Sequence, residues 1–381
     1  MKDFNKHIIL FLVIMLFGLL SNAQLIDDKG QLIGWVTVNP DDPFAMQAGA
    51  RYLPSLMLDK QFENNLTLDA EFTLNIYGSS LLWSNDSIDW DGNIQPYRGW
   101  FRLAGDQFEL RAGLQKLNFG SASILRPLMW FDQIDPRDPL QMTAGVDGLL
   151  FRYYFLNNAN VWLWGLIGND ELKGWDTFKS QKNIPEVGGR IQLPFLSGEI
   201  ATTYHYREGD LRGSFADSLT LRNSFSENRL ALDGKFDWEI GFWFESALIY
   251  QNLDFTTQRY QRLINVGADY TFALGNGLSV IGEYFTYQNS EEAFGKGQGI
   301  GFGAMSLSYP INIINNLQAM VYYDFTNNDF YRFVNFSWTY DNWMIYIMAF
   351  WNPDRFQINQ NVGEINLYGG YGAQLMVVFN H

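Results

Sequence analysis

Leu66 to Tyr77 reads L-T-L-D-A-E-F-T-L-N-I-Y. Leu66, Leu68, Ala70, Phe72, Leu74 and Ile76 point one way, and Thr67, Asp69, Glu71, Thr73 and Asn75 the other. A period of two sustained over this length defines a strand with one apolar and one polar face. Asn228 to Phe236 repeats it, with Leu230, Leu232 and Phe236 opposed to Arg229, Ala231, Asp233 and Lys235. Tyr260 to Phe272 does so again, with Ile264, Val266, Ala268 and Tyr270 opposed to Asn265, Gly267 and Asp269. Strands of about ten residues that alternate in this way, with aromatics toward their ends, are the unit of a barrel that shows lipid its apolar face and a lumen its polar one.

The same pattern, followed outward, predicts strands near 31–38, 46–62, 66–78, 96–104, 107–119, 145–156, 160–168, 187–194, 198–207, 226–237, 239–252, 259–273, 277–289, 297–309, 313–326, 330–340, 343–351 and 365–379. The expected fold is therefore all-β, a transmembrane antiparallel up-and-down barrel of about eighteen strands, with sixteen as the other even count. The connections agree. Asn64-Asn65, Gly105-Asp106, Asn157-Asn158, Gly275-Asn276 and Asp341-Asn342 are tight hairpin turns. Between them lie longer segments at 79–95, 120–144, 169–186, 208–225, 253–258, 290–296 and 352–364. Short periplasmic turns alternating with long extracellular loops belong to outer-membrane barrels, and a soluble sandwich has no reason to sort its loops by length.

Composition points the same way. The chain has 17% aromatic residues, 35 glycines, no cysteine and a mean hydropathy of only −0.15. Lys2 and Lys6, the apolar run from Ile8 to Leu20, and Ser21-Asn22-Ala23 have the form of a signal peptide over residues 1–23, leaving 24–381 as the barrel. Its removal takes the chain from 26 basic and 41 acidic side chains to 24 and 40, a formal charge of −16. Such acidity argues against nucleic acid as a partner. The expected surroundings are outer-membrane lipid and lipopolysaccharide, with a weak lean to a monomer.

The longest connection, 120–144, carries Pro127, Pro136 and Pro139 and shows no regular period. A loop of that length inside a compact fold is functional or disordered, and Leu128, Met129, Trp130 and Phe131 make it too apolar for disorder. It is expected to fold into the bore as a constriction, with Arg126, Trp130, Asp132, Asp135, Arg137 and Asp138 as candidate lining. Aromatics there would stack on sugar-like solutes while the charges bind hydroxyls. The structural alternative is that Asp-Pro pairs set turns and Arg137 pins the loop to the wall.

Alternation places Arg98, Arg102, Arg111, Arg152, Arg190, Arg207 and Arg229 on the polar face of neighbouring strands, and Glu239, Glu245, Asp269, Glu283 and Asp324 on that of later ones. The expectation is an arginine-rich wall facing an acidic one across the lumen, a field that sets ion preference and suits anionic solutes. Against it, Asp69, Glu71, Glu109, Glu199 and Glu227 share the arginine side and could neutralise it.

Gly113-Leu-Gln115-Lys-Leu-Asn118-Phe119-Gly120 resembles the G-x-Q-x-x-x-[WF]-G strand of bacterial substrate-selective porins and alginate-export-type barrels. The following Trp130-Phe131-Asp132-x-x-Asp135-Pro136-x-Asp138-Pro139 run is similar to sequences in porin-like outer-membrane proteins of Bacteroidota. The resemblance implies a porin-type channel of eighteen strands and no particular solute.

Enzymatic barrels need a nucleophile and base, and His205 and His381 are the histidines left after residue 23, with no motif tying a serine to either. Non-enzymatic function, no cofactor and no metal follow; the oxygen-rich Asn85 to Asn93 loop lacks a full calcium-binding pattern. The function expected is passive diffusion of small polar solutes, anionic or sugar-like. Two alternatives are a structural or adhesion barrel acting through its outer loops, and the conduit of a polysaccharide exporter.

Overall fold

A computed structural model describes residues 26–41, 44–84, 87–220, 222–353 and 367–381. The signal peptide assigned to 1–23 lies outside them. The described residues form eighteen strands and no helix. They are β1 (Ile26–Asn39), β2 (Ala45–Gln61), β3 (Thr67–Trp83), β4 (Ile88–Ala104), β5 (Phe108–Gln115), β6 (Val146–Tyr154), β7 (Asn160–Leu166), β8 (Glu186–Phe195) and β9 (Gly198–Asp210), followed by β10 (Ser224–Asp237), β11 (Gly241–Gln251), β12 (Tyr260–Phe272), β13 (Leu278–Ser290), β14 (Gln298–Pro310), β15 (Asn315–Asp324), β16 (Asp329–Tyr340), β17 (Trp343–Trp351) and β18 (Tyr371–Asn380). Each strand pairs antiparallel with its neighbour in sequence, and β1 pairs with both β2 and β18, so the sheet closes and has no edge. This is the closed antiparallel barrel that the alternation predicts.

The alternation sorts the two faces. On β10, Leu230 and Leu232 are 53% and 51% exposed while Arg229 and Asp233 are 1% and 2% exposed. Outward-facing Leu149, Leu163, Ile191, Ile264, Ile347 and Leu375 continue an apolar belt around the wall. Exposed aromatics bound it on both sides: Phe195, Trp238, Phe272, Tyr340 and Trp343 near the short turns, and Tyr284, Phe330, Trp351 and Tyr371 near the other rim. An apolar band between two aromatic girdles is the surface that a bilayer requires.

Several strand limits depart from expectation. The stretch 79–95, read as a loop, is mostly strand. β3 and β4 stay paired as far as Leu82 opposite Ile88, and a bulge at Thr73/Leu74 bends the pair. Asp89, Asp91 and Asn93 disguised this extension, although Ile88, Trp90 and Ile94 keep the period of two. Residues 85 and 86 of the calcium-type loop lie outside the described residues, and Ile88 to Asn93 belong to strand β4. β5 stops at Gln115 rather than 119, and β18 begins at Tyr371 rather than 365. The connections 40–44, 84–87 and 325–328 are short, so the rim opposite the short turns is uneven.

The barrel interior is not empty. Leu117, Phe119, Ile124, Leu125, Leu128, Trp130 and Phe131 pack with wall residues such as Leu150, Trp164, Leu263, Phe285 and Tyr331 into one buried cluster inside the wall.

Candidate pore constriction

The segment between β5 and β6 turns inward at Gln115. That side chain is fully buried and donates to Gly148 O at 3.1 Å. At Gly120 (φ +93°) a Cβ would stand 2.3 Å from Glu245 Oε1, so only glycine lets the loop reach that carboxylate. Glu245 Oε1 accepts the Ala122 N–H at 2.7 Å and Oε2 the Leu128 N–H at 3.4 Å. Glu283 Oε1 accepts Ser123 and Ile124 N–H at 2.6 and 3.1 Å, and Oε2 accepts Leu125 N–H at 2.7 Å. Successive amides converging on one carboxylate form an anion nest, here filled by the protein's own side chain. Asn265 Nδ2 completes the clamp, donating to Leu125 O at 2.7 Å and to Glu283 Oε2 at 3.0 Å. The loop thus spans from the β5 side of the bore to β11–β13.

This geometry replaces the acidic wall. Glu245 and Glu283 do not face open lumen; both are buried under the loop. Asp324 is also buried and accepts Thr326 and Asn327 N–H at 2.8 and 3.2 Å, capping its own turn. Glu239 is in the exposed β10–β11 turn, and Asp269 lies beside Gly241 at the same end. Glu245, Glu283 and Asp324 instead satisfy backbone donors, which is where a buried carboxylate is least costly.

A second loop, 167–185, folds inward as well, where the sequence reading placed it outside. Trp175 stacks on Phe285 at 4.5 Å and donates Nε1–H to Arg126 O at 3.0 Å. Lys173 Nζ donates to Gly145 O at 3.1 Å, and Gly174 N–H to Asp132 O at 3.0 Å. Asp176 bridges Arg207 at 2.8 Å and Arg229 at 2.6 Å. Leu172, Trp175 and Phe178, apolar side chains within a mostly polar connection, were the available hint of this docking.

The seven arginines all reach inward, and the structure gives each a partner. Arg98 donates to Thr143 O at 3.0 Å. Arg102 bonds Asp69 at 2.7 Å. Glu109 sits among three guanidinium groups: Arg111 at 3.0 Å, Arg152 at 3.7 Å and Arg102 at 3.8 Å. Arg111 lies over the Trp100 ring at 4.6 Å and Arg152 over Trp162 at 3.8 Å. Arg190 binds Asp233 in a fork, both contacts 2.7 Å. Arg207 and Arg229 share Glu227 and Asp176. Charge not matched by a dedicated carboxylate is therefore left to Arg98, which hydrogen-bonds carbonyl oxygens, and to the partly exposed Arg102–Arg111–Arg152 group; Arg190, Arg207 and Arg229 are buried and neutralised.

The loop residues separate into two sets. Arg126 bonds Asn118 and Phe119 O, Trp130 packs edge-on to Phe119, and Asp132 accepts Thr143 Oγ1–H at 2.6 Å. These three hold the loop's own core and do not border the cavity between the loop and the wall. Asp135 and Arg137 pair at 2.7 and 2.5 Å, with Arg137 between the Phe333 and Tyr368 rings. Asp138 accepts Leu140 and Met142 N–H. This second set borders a cavity of about 540 Å³ between loop residues 133–142 and strands β1, β2 and β15–β18.

Arg51 on β2 also lines that cavity and was absent from the sequence reading. Its guanidinium lies against Trp35 and Tyr77 at 5.7 and 5.4 Å and donates to Met142 Sδ at 2.7 Å. It has no carboxylate within ion-pair distance among the described residues. Alternation with Gly49 and Leu53 would have placed it on the inner face. Gln47, Gln318, Asn335 and Gln374 supply further polar lining.

Burial raises the Asp132 carboxyl above the ordinary aspartate range, opposed by the Thr143 hydrogen bond. Asp138 moves the same way, against the Leu140 and Met142 amides. The packed loop therefore binds protons more tightly than a released one. Its packing is firmest below the ordinary value near 4 and loosens as pH rises through the raised values. Asp132→Asn is expected to flatten this dependence without abolishing it, because Asp138 remains. Limited proteolysis of the loop between pH 4 and 8 measures the slope; an unchanged slope in Asp132→Asn contradicts the assignment.

No protein-family model and no curated protein sequence matches the chain. Solved structures do. OccAB1 of Acinetobacter baumannii is similar at a TM-score of 0.55 and 10% identity, over 95% of this chain and 98% of that one. OccK5 (OpdH) of Pseudomonas aeruginosa is similar at 0.54 and 10%, over 93% and 98%. OmpT of Vibrio cholerae, an outer-membrane protein solved in a trimer form, is similar at 0.52 and 11%, over 94% and 100%. The chain has the fold of outer-membrane porins along almost its whole length.

Proposed function

We propose that the protein is a porin-like outer-membrane channel through which small polar solutes diffuse passively. The observation that carries this is an inward-folded loop, clamped by Glu245 and Glu283, which fills part of a closed eighteen-stranded bore and leaves a polar-lined cavity of about 540 Å³ beside it. A barrel of this strand number leaves an aqueous channel unless something fills it. The fold shared with porins and the lipid-type exterior support the outer-membrane location, reached through the signal peptide read at 1–23.

Within this reading, the passage favours solutes bearing a carboxylate or phosphate, or sugar-like solutes. Arg51 offers a guanidinium in no ion pair among the described residues, and Arg102, Arg111 and Arg152 stand together on a stretch of wall shared with Asp69, Glu71 and Glu109. Planar guanidinium donors match such anions, and Trp35, Tyr346 and Tyr368 provide ring faces. The likeness to alginate-export-type barrels and to Bacteroidota proteins rests on its two short motifs alone. Nothing in the site calls for catalysis: His205 is buried between Trp164 and Glu186.

Liposome swelling with the refolded chain tests the reading. Faster entry of a small monocarboxylate than of an equally sized cation is expected. Equal entry contradicts the anion preference, and no entry of any solute contradicts the channel.

A further inference from the structure

Arg332 on β16 belongs to none of the lumenal groups. It shares a parity with Phe330 and Val334, whose side chains are exposed on the outer wall. Its guanidinium lies over Phe330 at 5.1 Å and over Trp351 at 5.2 Å, and makes no ion pair or hydrogen bond among the described residues. Arg262, likewise outward-facing on β12, is satisfied by Gln288 at 2.6 Å and Gly295 O at 2.9 Å. Among the described residues, the Arg332 guanidinium is thus a cation on the outer wall set against ring faces, with no carboxylate paired to it.

Directly below it the wall is hollowed. Arg332 pairs in register with Trp351, and Trp351 with Tyr371, forming a row of large side chains. In the next outward-facing row Val334 pairs with Ala349, Ala349 with Ala373, and Ala373 with Val38. These shorter side chains leave a groove of about 840 Å³ across β16, β17, β18 and β1, bordered by Arg332. The groove lies at the girdle of the rim away from the short turns, which is the outer-leaflet side if those turns are periplasmic.

We propose that this groove binds the phosphorylated glycolipid of the outer leaflet, with a lipid A phosphate on Arg332 and an acyl chain along Ala349 and Ala373. This rests on the outer-membrane reading above, and not on whether the pore conducts. The chemistry selects the occupant. A guanidinium at the edge of hydrocarbon needs an anion, and a phosphate offers it charge-assisted bonds. The apolar floor beneath is continuous with the belt that already faces acyl chains. A membrane lipid carrying phosphate supplies both at the depth where they are needed.

Native mass spectrometry of the folded full barrel, with hexa-acylated bis-phosphorylated lipid A as the probe, tests this. One retained lipid A is expected. Arg332→Gln should lower its occupancy on the order of fivefold, the ratio corresponding to about 1 kcal/mol per basic group at an anionic surface. Arg332→Lys should keep most of it, and Ala349→Trp, which fills the groove, should lower it with the cation intact. Dephosphorylated lipid A should bind wild type no better than Arg332→Gln. Equal retention by wild type, Arg332→Gln and Ala349→Trp would overturn the proposal. So would a dimer that buries Trp351 and Tyr371 in place of lipid. Heat-modifiable migration confirms that each variant is folded, and conductance measured on the same samples separates failure of this site from failure of the channel reading.

Discussion

Replacing Glu245 and Glu283 together by alanine is expected to raise single-channel conductance by about twofold or more while the barrel stays closed, because a bore of this strand number is wide unless obstructed. The two carboxylates accept the N–H groups of Ala122, Ser123, Ile124, Leu125 and Leu128. Leaving such buried donors unpaired costs about 1–3 kcal/mol each, which a loop cannot absorb in place. The wall is held instead by backbone strand-to-strand ladders, of which the side chains contribute only the Asn265–Glu283 bond. The double variant should therefore keep heat-modifiable migration while its loop becomes open to protease. Each single variant should show a smaller rise, since either clamp retains part of the loop. Unchanged conductance in a folded double variant would mean that the loop does not limit the passage.

The second large effect is expected at Arg51. Arg51→Glu should move the reversal potential under a salt gradient toward cations. Two unit charges changed at about 5 Å from a passing ion are worth roughly 1.7 kcal/mol even at the dielectric of bulk water, so the anion-to-cation permeability ratio should change on the order of tenfold or more. Arg190→Gln serves as the contrast. Its guanidinium is buried and spent on Asp233, so it should alter folding stability far more than selectivity. If Arg51→Glu leaves the reversal potential where it was while an Arg111 or Arg152 variant shifts it, selectivity belongs to the Glu109 group.

The barrel was legible because a two-sided wall must alternate. Leu66 to Tyr77, Asn228 to Phe236 and Tyr260 to Phe272 each carry the demand of lipid on one side and a packed lumen on the other. That demand weakens beyond the membrane, which is why the β3–β4 extension, with its Asp89, Asp91 and Asn93, reads as loop. The inward fold of 120–144 was legible from its apolar content, but its anchoring was not. Alternation turns Glu245 and Glu283 inward without saying what meets them, and their partners lie 117 to 160 residues away. The same limit concealed the docking of Trp175 and Asp176, since a connection between strands has no period to betray its direction. Charge pairing was equally remote: Arg207 and Arg229 look like a track along the wall until Asp176 arrives from another loop. Arg51 is different. Its inward direction follows from the simple alternation of β2, and only its freedom from carboxylates required coordinates.

The most direct test is single-channel recording of the refolded mature chain in a planar bilayer under a salt gradient. Discrete open steps with anion preference, smaller than those of the Glu245→Ala/Glu283→Ala variant, are the predicted result. A folded, heat-modifiable barrel that inserts and passes no current in either form would contradict it.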